Sequence, residues 1–160
     1  MNEPNPNPNP NPDLEAERVG RWLEQEDRLA RLLGMELVAV TPGACQVRMV
    51  VGPDMLNAVG LTHGGATYSL ADFAFAVASN SHGQVAVALA THMSYPSASR
   101  LGDILIAEAR EVSRGERTGL YAIEVRTAKG KLVGHFSGTV FRRGEPIAHW
   151  MKPSNPGDKS

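Results

Sequence analysis

The segment HGGATYSLADFAFAVASNS, residues 63–81, holds the residue types best suited to chemistry in this chain. Most of it is small or apolar, with Leu70, Ala71, Phe73, Ala74, Phe75 and Val77 at its centre, and it reads as a helix buried on nearly all sides. One carboxylate, Asp72, stands in the middle. An unpaired carboxylate in an apolar interior is costly, and it either neutralises or finds partners. Two readings are open. In one, Tyr68 or Ser69, about one helical turn back, donates a hydrogen bond and Asp72 is structural. In the other, Asp72 is a general base or nucleophile with a raised pKa at a partly dry site.

The helix opens with His63-Gly64-Gly65. Glycine in a first turn costs helix stability. It also lets a ligand approach backbone N–H groups that have no partner at a helix N-terminus. Those donors, with the positive end of the helix dipole, suit a developing oxyanion. A plain tight turn is the competing account of the glycines. His63 is a candidate to orient a substrate carbonyl or to cap the helix. Asn57, in the loop before it, either shapes a turn or holds a carbonyl or a water with its side-chain amide.

Gly64 and Asp72 are eight residues apart, or roughly 12 Å along a helix axis. An oxyanion donor and an attacking group must both lie about 3 Å from neighbouring atoms of one carbonyl. One straight helix cannot bring both there. If both act on one substrate, they come from two chains, and the spacing predicts a two-fold dimer with each site shared.

The remaining candidates carry less. The five histidines, at 63, 82, 92, 135 and 149, show no close metal-ligand spacing. There is no Gly-x-Ser-x-Gly elbow and no phosphate-binding loop. His92 and His135 fall in strand patterns as ordinary polar or pocket positions. Cys45, the single cysteine, lies on an apolar strand face and reads as a small core side chain.

The elements that must position these groups follow from patterning. Residues 4–12, PNPNPNPNP, oppose both helix and sheet and predict an extended, disordered tail over 1–13. From Asp13, read as the N-cap, to the stop at Gly34, the recurrence of Val19, Trp22, Leu23, Leu29, Leu32 and Leu33 predicts one amphipathic helix of about five turns. MELVAV, the turn TPGA and CQVRMVV predict a hairpin. Four strands follow, over 84–95, 103–113, 118–128 and 131–142, with turns at Arg114-Gly115-Glu116 and Lys129-Gly130. Residues 144–160 lose periodicity and are expected to be irregular. Strands joined by short turns imply an antiparallel sheet, and an apolar helix must be covered. The expected fold is therefore α+β, a single domain over 14–143 with a long sheet curved around the central helix.

Composition excludes some partners. The formal net charge is −1 in 160 residues, so no basic field argues for nucleic acid. No apolar run reaches the ~18 residues of a membrane span. The N-terminal residues carry no basic-then-apolar targeting pattern. The lone cysteine makes a reducing, cytoplasmic setting the expectation.

MLNAVGLTHGGATYSLADFAFAVASNS, read as Asn-x(5)-His-Gly-Gly-x(4)-Leu-Ala-Asp-x-Ala, closely resembles the hotdog-fold acyl-CoA thioesterases of the phenylacetic-acid-degradation (PaaI) type. The later GDILIAEAREVSRGERTGLYAIEVRTAKGKLVGHFSGTVFR resembles the family's last three strands. The resemblance spans roughly residues 29–143. It implies a five- or six-stranded antiparallel sheet around the helix, and a dimer or dimer of dimers, commonly a homotetramer, with sites at the dimer interface. It implies Asp72 as the catalytic carboxylate, the Gly64 N–H as the oxyanion donor from the other subunit, and His63 and Asn57 as positioning groups. The implied substrate is phenylacetyl-CoA or a related aryl or acyl-CoA, hydrolysed to acid and CoA without metal or cofactor.

One segment departs from the family. Where it usually shows Phe-x-Arg-Pro, this chain has Ser97 and Ala98 within SYPSASRLGD, with Arg100 displaced. CoA phosphates need cationic partners, and Arg100, Arg114 and Arg117 are the candidates, each otherwise a solvated turn residue. Two further functions stay open: a non-catalytic acyl-CoA-binding module of the same fold, and a dehydratase acting on an acyl thioester.

Overall fold

A helix with almost no polar face needs a surface that bends around it, and six strands supply that surface here. The computed structural model describes residues 11–151. Its elements run α1 (Pro12–Glu26), α2 (Arg28–Leu32), β1 (Glu36–Thr41), β2 (Ala44–Val50), α3 (Gly64–Asn80), β3 (Gln84–Ser94), β4 (Ile104–Arg114), β5 (Thr118–Thr127) and β6 (Leu132–Pro146). Short 3-10 turns occupy Pro53–Met55 and Ile147–His149. The strands form one sheet in the order β1-β2-β4-β5-β6-β3, and every neighbouring pair is antiparallel. This is the expected hotdog arrangement, with six strands.

Alternation places Val47, Met49, Leu105, Ile123, Val125 and Phe136 on the inner face, all at 1% exposure or less. Leu70, Ala71, Ala74, Val77 and Ala78 of α3 are fully buried against them. Aromatic rings pack across the helix–sheet interface. Phe75 packs on Tyr121 and Phe136 with centroids 5.6 and 5.4 Å apart. Gly138 on β6 makes the room: a β-carbon there would sit 2.6 Å from Phe75 Cζ. Cys45 belongs to this core as well. Its thiol donates to the Ala74 carbonyl at 3.2 Å, and burial pushes its pKa up to about 12, so it is no nucleophile.

The C-terminal end of α3 is tied down by polar groups. The Gly43 N–H in the β1–β2 turn donates to Ser81 Oγ at 2.7 Å. Glu111 of β4 receives the Tyr121 hydroxyl at 2.6 Å and lies 2.8 Å from His82 Nε2. Burial raises the Glu111 pKa, but the hydrogen bonds from Tyr121 and His82 and the charges of His82 and Arg114 outweigh it and hold it below the usual value.

Four local expectations need correction. The N-terminal helix is two helices, because the chain is extended at Asp27 (ψ 109°) and the Asp27 carboxylate captures the Ala30 N–H at 2.9 Å, starting α2 afresh. The first N-cap is Asn11, which receives the Asp13 N–H, rather than Asp13 itself. Leu29 and Leu32, read as part of the apolar stripe, are 51% and 80% exposed. At the other end, β6 continues to Pro146 and Ile147 is buried, its N–H bonded to Gly83 O at 2.9 Å. Residues 1–10 and 152–160, the bulk of the expected tails, lie outside the described residues.

The two sheet edges differ. β1 is six residues long, carries a register shift between Leu37 and Ala39, and is backed by α1. β3 is eleven residues long and pairs on one side only, with β6, leaving Val87 42% and Leu89 60% exposed. No helix among the described residues is long and apolar enough to cross a membrane.

Gly138→Ala is expected to destabilise the protein by about 1–3 kcal/mol, because the new methyl must displace the Phe75 ring. Urea unfolding followed by circular dichroism measures it; unchanged stability would show that α3 does not seat through this contact.

A candidate active site at the start of the central helix

The loop before α3 is stitched into a fixed lip. The His63 N–H bonds to Met55 O at 2.7 Å, and the Thr62 N–H to Ser99 O at 3.0 Å. The Ser99 hydroxyl donates to Thr62 Oγ1 at 2.7 Å, which joins the loop to the segment after β3. Asn57 organises the loop. Its Oδ1 accepts both the Val59 and the Leu61 N–H at 3.1 Å, and its backbone pairs with Leu61 O and the Gly60 N–H. Two backbone donors on Oδ1 assign the amide orientation and leave Nδ2 as a donor. The turn-forming reading of Asn57 is therefore met by its oxygen, and the residue also lines a cleft of about 240 Å³ together with Gly64, Thr67, Tyr95, Ser97 and Ser99.

His63 is the N-cap of α3, and its Nδ1 accepts the Gly65 N–H at 2.9 Å. The neutral ring thus carries its proton on Nε2. The second glycine serves this cap, because a β-carbon at Gly65 would lie 3.0 Å from His63 Nδ1. The Ala66 N–H is taken by His63 O at 2.9 Å. Among the described residues, no acceptor meets the Gly64 N–H. One first-turn donor is therefore left open, and it belongs to a residue that lines the cleft. His63 is turned to an adjoining groove, with Gly65, Ser69 and Met55.

Asp72 sits two turns along the helix, half-buried. Tyr68 and Ser69 do not satisfy it: the Tyr68 hydroxyl pairs with Thr91 Oγ1 at 2.6 Å, and the Ser69 hydroxyl donates to Gly65 O at 2.7 Å. Among the described residues the Asp72 carboxylate receives no hydrogen bond. Burial pushes its pKa up, and the neighbouring charge of Asp27 adds to the rise. At about 3.6 residues per turn and 1.5 Å per residue, Asp72 is roughly 12 Å along and 80° around α3 from Gly64. The structure brings Asn57 and Gly64 to one cleft and leaves Asp72 on a different stripe, with Ser69 and Ala76.

The arginines separate too. Arg100 is exposed and follows Ser99 at the rim of the cleft. Arg114 and Arg117 flank the β4–β5 turn, beyond the opposite end of α3; Arg114 lines a groove with Ser81 and His82, and Arg117 lies 5.4 Å from the centre of the Phe141 ring. Within one protomer the three do not form a phosphate site. His92 pairs with Ser137 and His135 with Ser94; both histidines are exposed. Among the described residues, no group of three His, Cys, Asp or Glu could hold a metal ion. Tyr95, Thr67 and Ser99 are cleft residues that sequence reasoning passed over. For Tyr95 and Ser99 the one signal was the SYPSAS segment, where the chain departs from its family pattern; Thr67 had none.

Residues 59–134 match the family model described as Thioesterase superfamily. A putative esterase of Archaeoglobus fulgidus is 42% identical over 129 residues, covering 81% of this chain and 84% of that protein. The acyl-coenzyme A thioesterase PaaI of Escherichia coli is 38% identical over 123 residues, covering 77% and 88%. The solved structure of E. coli PaaI superposes with a TM-score of 0.83, covering 85% of this chain and 99% of that one, at 34% identity. A thioesterase-like protein of Streptococcus pneumoniae, solved with coenzyme A, matches at a TM-score of 0.68 and 26% identity, covering 70% and 90%. With the hotdog fold and an open helix-start donor in place, the class is settled: this chain belongs to the thioesterase superfamily, as a hotdog thioester hydrolase of the PaaI type.

Asn57→Asp keeps the acceptor that builds the turn and removes the Nδ2 donor. Its melting temperature is expected within about 2 °C of wild type, while kcat/KM for a thioester falls at least tenfold, by about 1.4 kcal/mol or more of transition-state stabilisation. A variant of equal activity would reduce Asn57 to a turn residue.

Proposed function

We propose that the protein hydrolyses phenylacetyl-CoA or a related aryl or acyl-CoA to the free acid and CoA, at a site completed by a second copy of the chain. The observation that carries this reading is the open Gly64 N–H at a cleft, together with a carboxylate that has no hydrogen-bond partner in its own chain and that the same chain cannot bring to the cleft. A thioester carbonyl seated in the cleft meets the Gly64 N–H, which stabilises the oxyanion at the positive end of the helix dipole. The Asn57 amide holds the carbonyl or the water, and His63 acts through its cap on the first turn. Asp72 of the partner subunit takes a proton from water as the oxygen attacks the carbonyl carbon, or attacks that carbon itself. The C–S bond then breaks and CoA leaves as the thiolate; in the second case the acyl group is left as an anhydride on Asp72, and water cleaves it to the free acid and the restored carboxylate.

Several observations support the shared site. β3 offers an eleven-residue edge with apolar side chains exposed and one side unpaired, a surface that monomers normally blunt. Antiparallel pairing of β3 with its copy would join two sheets about a two-fold axis. Beyond its first turn, α3 is covered least along a half-buried stripe that includes Ser69, Asp72 and Ala76, so an acid on it is placed to serve a neighbour. The CoA-bound S. pneumoniae structure and the name of E. coli PaaI support CoA as the leaving group. Arg100, near the cleft, and Arg114 and Arg117, at the far end, are the cations for its phosphates, reached from different protomers. A dimer or dimer of dimers satisfies these requirements.

Asp72→Asn is the decisive variant. Thiol release from phenylacetyl-CoA, followed with a thiol reagent, is expected to fall by about 10²-fold or more. Equal rates would remove Asp72 as the catalytic group. No release from any acyl-CoA in a panel, with CoA still bound, would favour the binding-module reading; hydration of an enoyl thioester would favour the dehydratase.

The pH dependence follows from the raised pKa. Asp72 works as the carboxylate, so kcat/KM rises with pH through a value above the ordinary aspartate range of about 3.9, and this limb disappears in Asp72→Asn. A carboxylate raised in the folded state binds protons more tightly there than in the unfolded chain. Its contribution to stability is thus present below the unfolded pKa and lost as pH rises through the folded one. At neutral pH the charge is a cost, and Asp72→Asn is expected to melt at or above the wild-type temperature while losing activity. A lower melting temperature would mean that Asp72 holds the fold together.

A further inference from the structure

The cap and the cleft meet at a single peptide group. The Gly65 N–H donates to His63 Nδ1 at 2.9 Å. The Gly64 carbonyl receives the Tyr95 hydroxyl at 3.2 Å. Gly64 O and Gly65 N belong to the same peptide bond, so two side chains from different parts of the chain grip its two polar ends. Tyr95 immediately follows β3, 31 residues from Gly64. Its ring also lies against the bare α-carbon of Gly64, since a β-carbon there would meet Tyr95 Cζ at 3.4 Å.

This grip falls where the helix is least determined by itself. Two consecutive glycines leave the first turn with the widest choice of φ and ψ of any stretch in α3. The first N–H groups of a helix also lack the i to i−4 bonds that hold later ones. A hydrogen bond weakens steeply as its angle departs from linearity, and an oxyanion donor acts only if it is aimed before the charge develops. The Gly64 N–H is one bond from the Gly64 α-carbon, and the gripped peptide begins on the other side of that atom. Fixing the second peptide therefore limits the swing of the first.

We propose that Tyr95 is a positioning residue of the thioester site, which, with His63, locks the Gly64–Gly65 peptide and so aims the open Gly64 N–H at the substrate carbonyl. This rests on the reading of Gly64 as the oxyanion donor. Burial pushes the Tyr95 phenol above its usual pKa, with the nearby Tyr68 adding to it, so the hydroxyl remains a donor throughout the neutral range. Tyr95 also lines the cleft, which makes a wall for the acyl group the rival role. The two roles differ in which kinetic constant they move.

Tyr95→Phe keeps the ring and removes the hydroxyl. Two measurements on the full chain decide the matter: amide hydrogen exchange at Gly64 and Gly65 by NMR without substrate, and steady-state kinetics on phenylacetyl-CoA. Loss of one hydrogen bond of ordinary strength corresponds to roughly a 3–10-fold change. The expected result is exchange at Gly65 faster by that factor, kcat lower by a similar factor and KM within about twofold, with a melting temperature lower by no more than about 5 °C. Unchanged exchange would overturn the proposal. So would a rise in KM at constant kcat, which marks a substrate wall, or faster exchange with kcat intact, which would mean that the gripped peptide does not serve the reaction. Wild-type protein that releases no thiol from any acyl-CoA would instead sink the functional reading, and the positioning role with it, whatever the exchange shows.

Discussion

The sheet must close around α3, and nearly every other feature depends on how that is done. α3 has no broad polar face to give to water, so it can exist only where it is covered. The inner residues of the six strands and the α1–α2 cover meet that need, and Gly138 lets the Phe75 ring reach the strand backbone. The consequence is rigidity. A helix held by rings in its middle and by the Ser81 and Glu111 bonds at its C-terminal end cannot slide or tilt to suit a ligand. Whatever chemistry it carries must be done from fixed positions.

That rigidity explains why the polar groups are divided as they are. The N-terminal turn is made of glycines and built from outside, by His63, Tyr95 and the Asn57 loop. Its cost in helix propensity is offset by contacts from loop and strand, and one N–H is left without an acceptor. Farther along, Asp72 is half-buried without a hydrogen bond, and burial raises its pKa. A carboxylate with a raised pKa and no partner in its own chain is the kind of group that gathers at functional sites. Because the two cannot converge within one rigid helix, symmetry is the economical way to bring them together.

Much of this was legible from residue order. Alternation gave β2 and β4 to β6 within a few residues, and the continuous apolar run gave α3 and its burial. The His-Gly-Gly and Asp72 positions were distinctive enough to raise the question of chemistry unaided. Boundaries set by single side chains were not legible. Asp27 splits the first helix because its carboxylate prefers the Ala30 N–H to a place in a continuing helix, a choice local patterning does not reveal. Ile147 is buried because β6 runs on beside Gln84, and strand length is decided by the partner strand.

The sequence by itself determined the secondary structure, the burial of α3 and the identity of the groups that matter, because each follows from periodicity or from the cost of placing one residue type among others. Only the tertiary structure decided what those groups do to one another. Tyr68 and Ser69 were open partners for Asp72 until the fold gave their hydroxyls to Thr91 and Gly65. Asn57 had two possible roles until its oxygen was seen to accept two backbone donors. Tyr95 had no visible role at all, because a contact across 31 residues leaves no local pattern. Hydrogen bonds are short-ranged and directional, so which donor finds which acceptor is known only once the chain has closed.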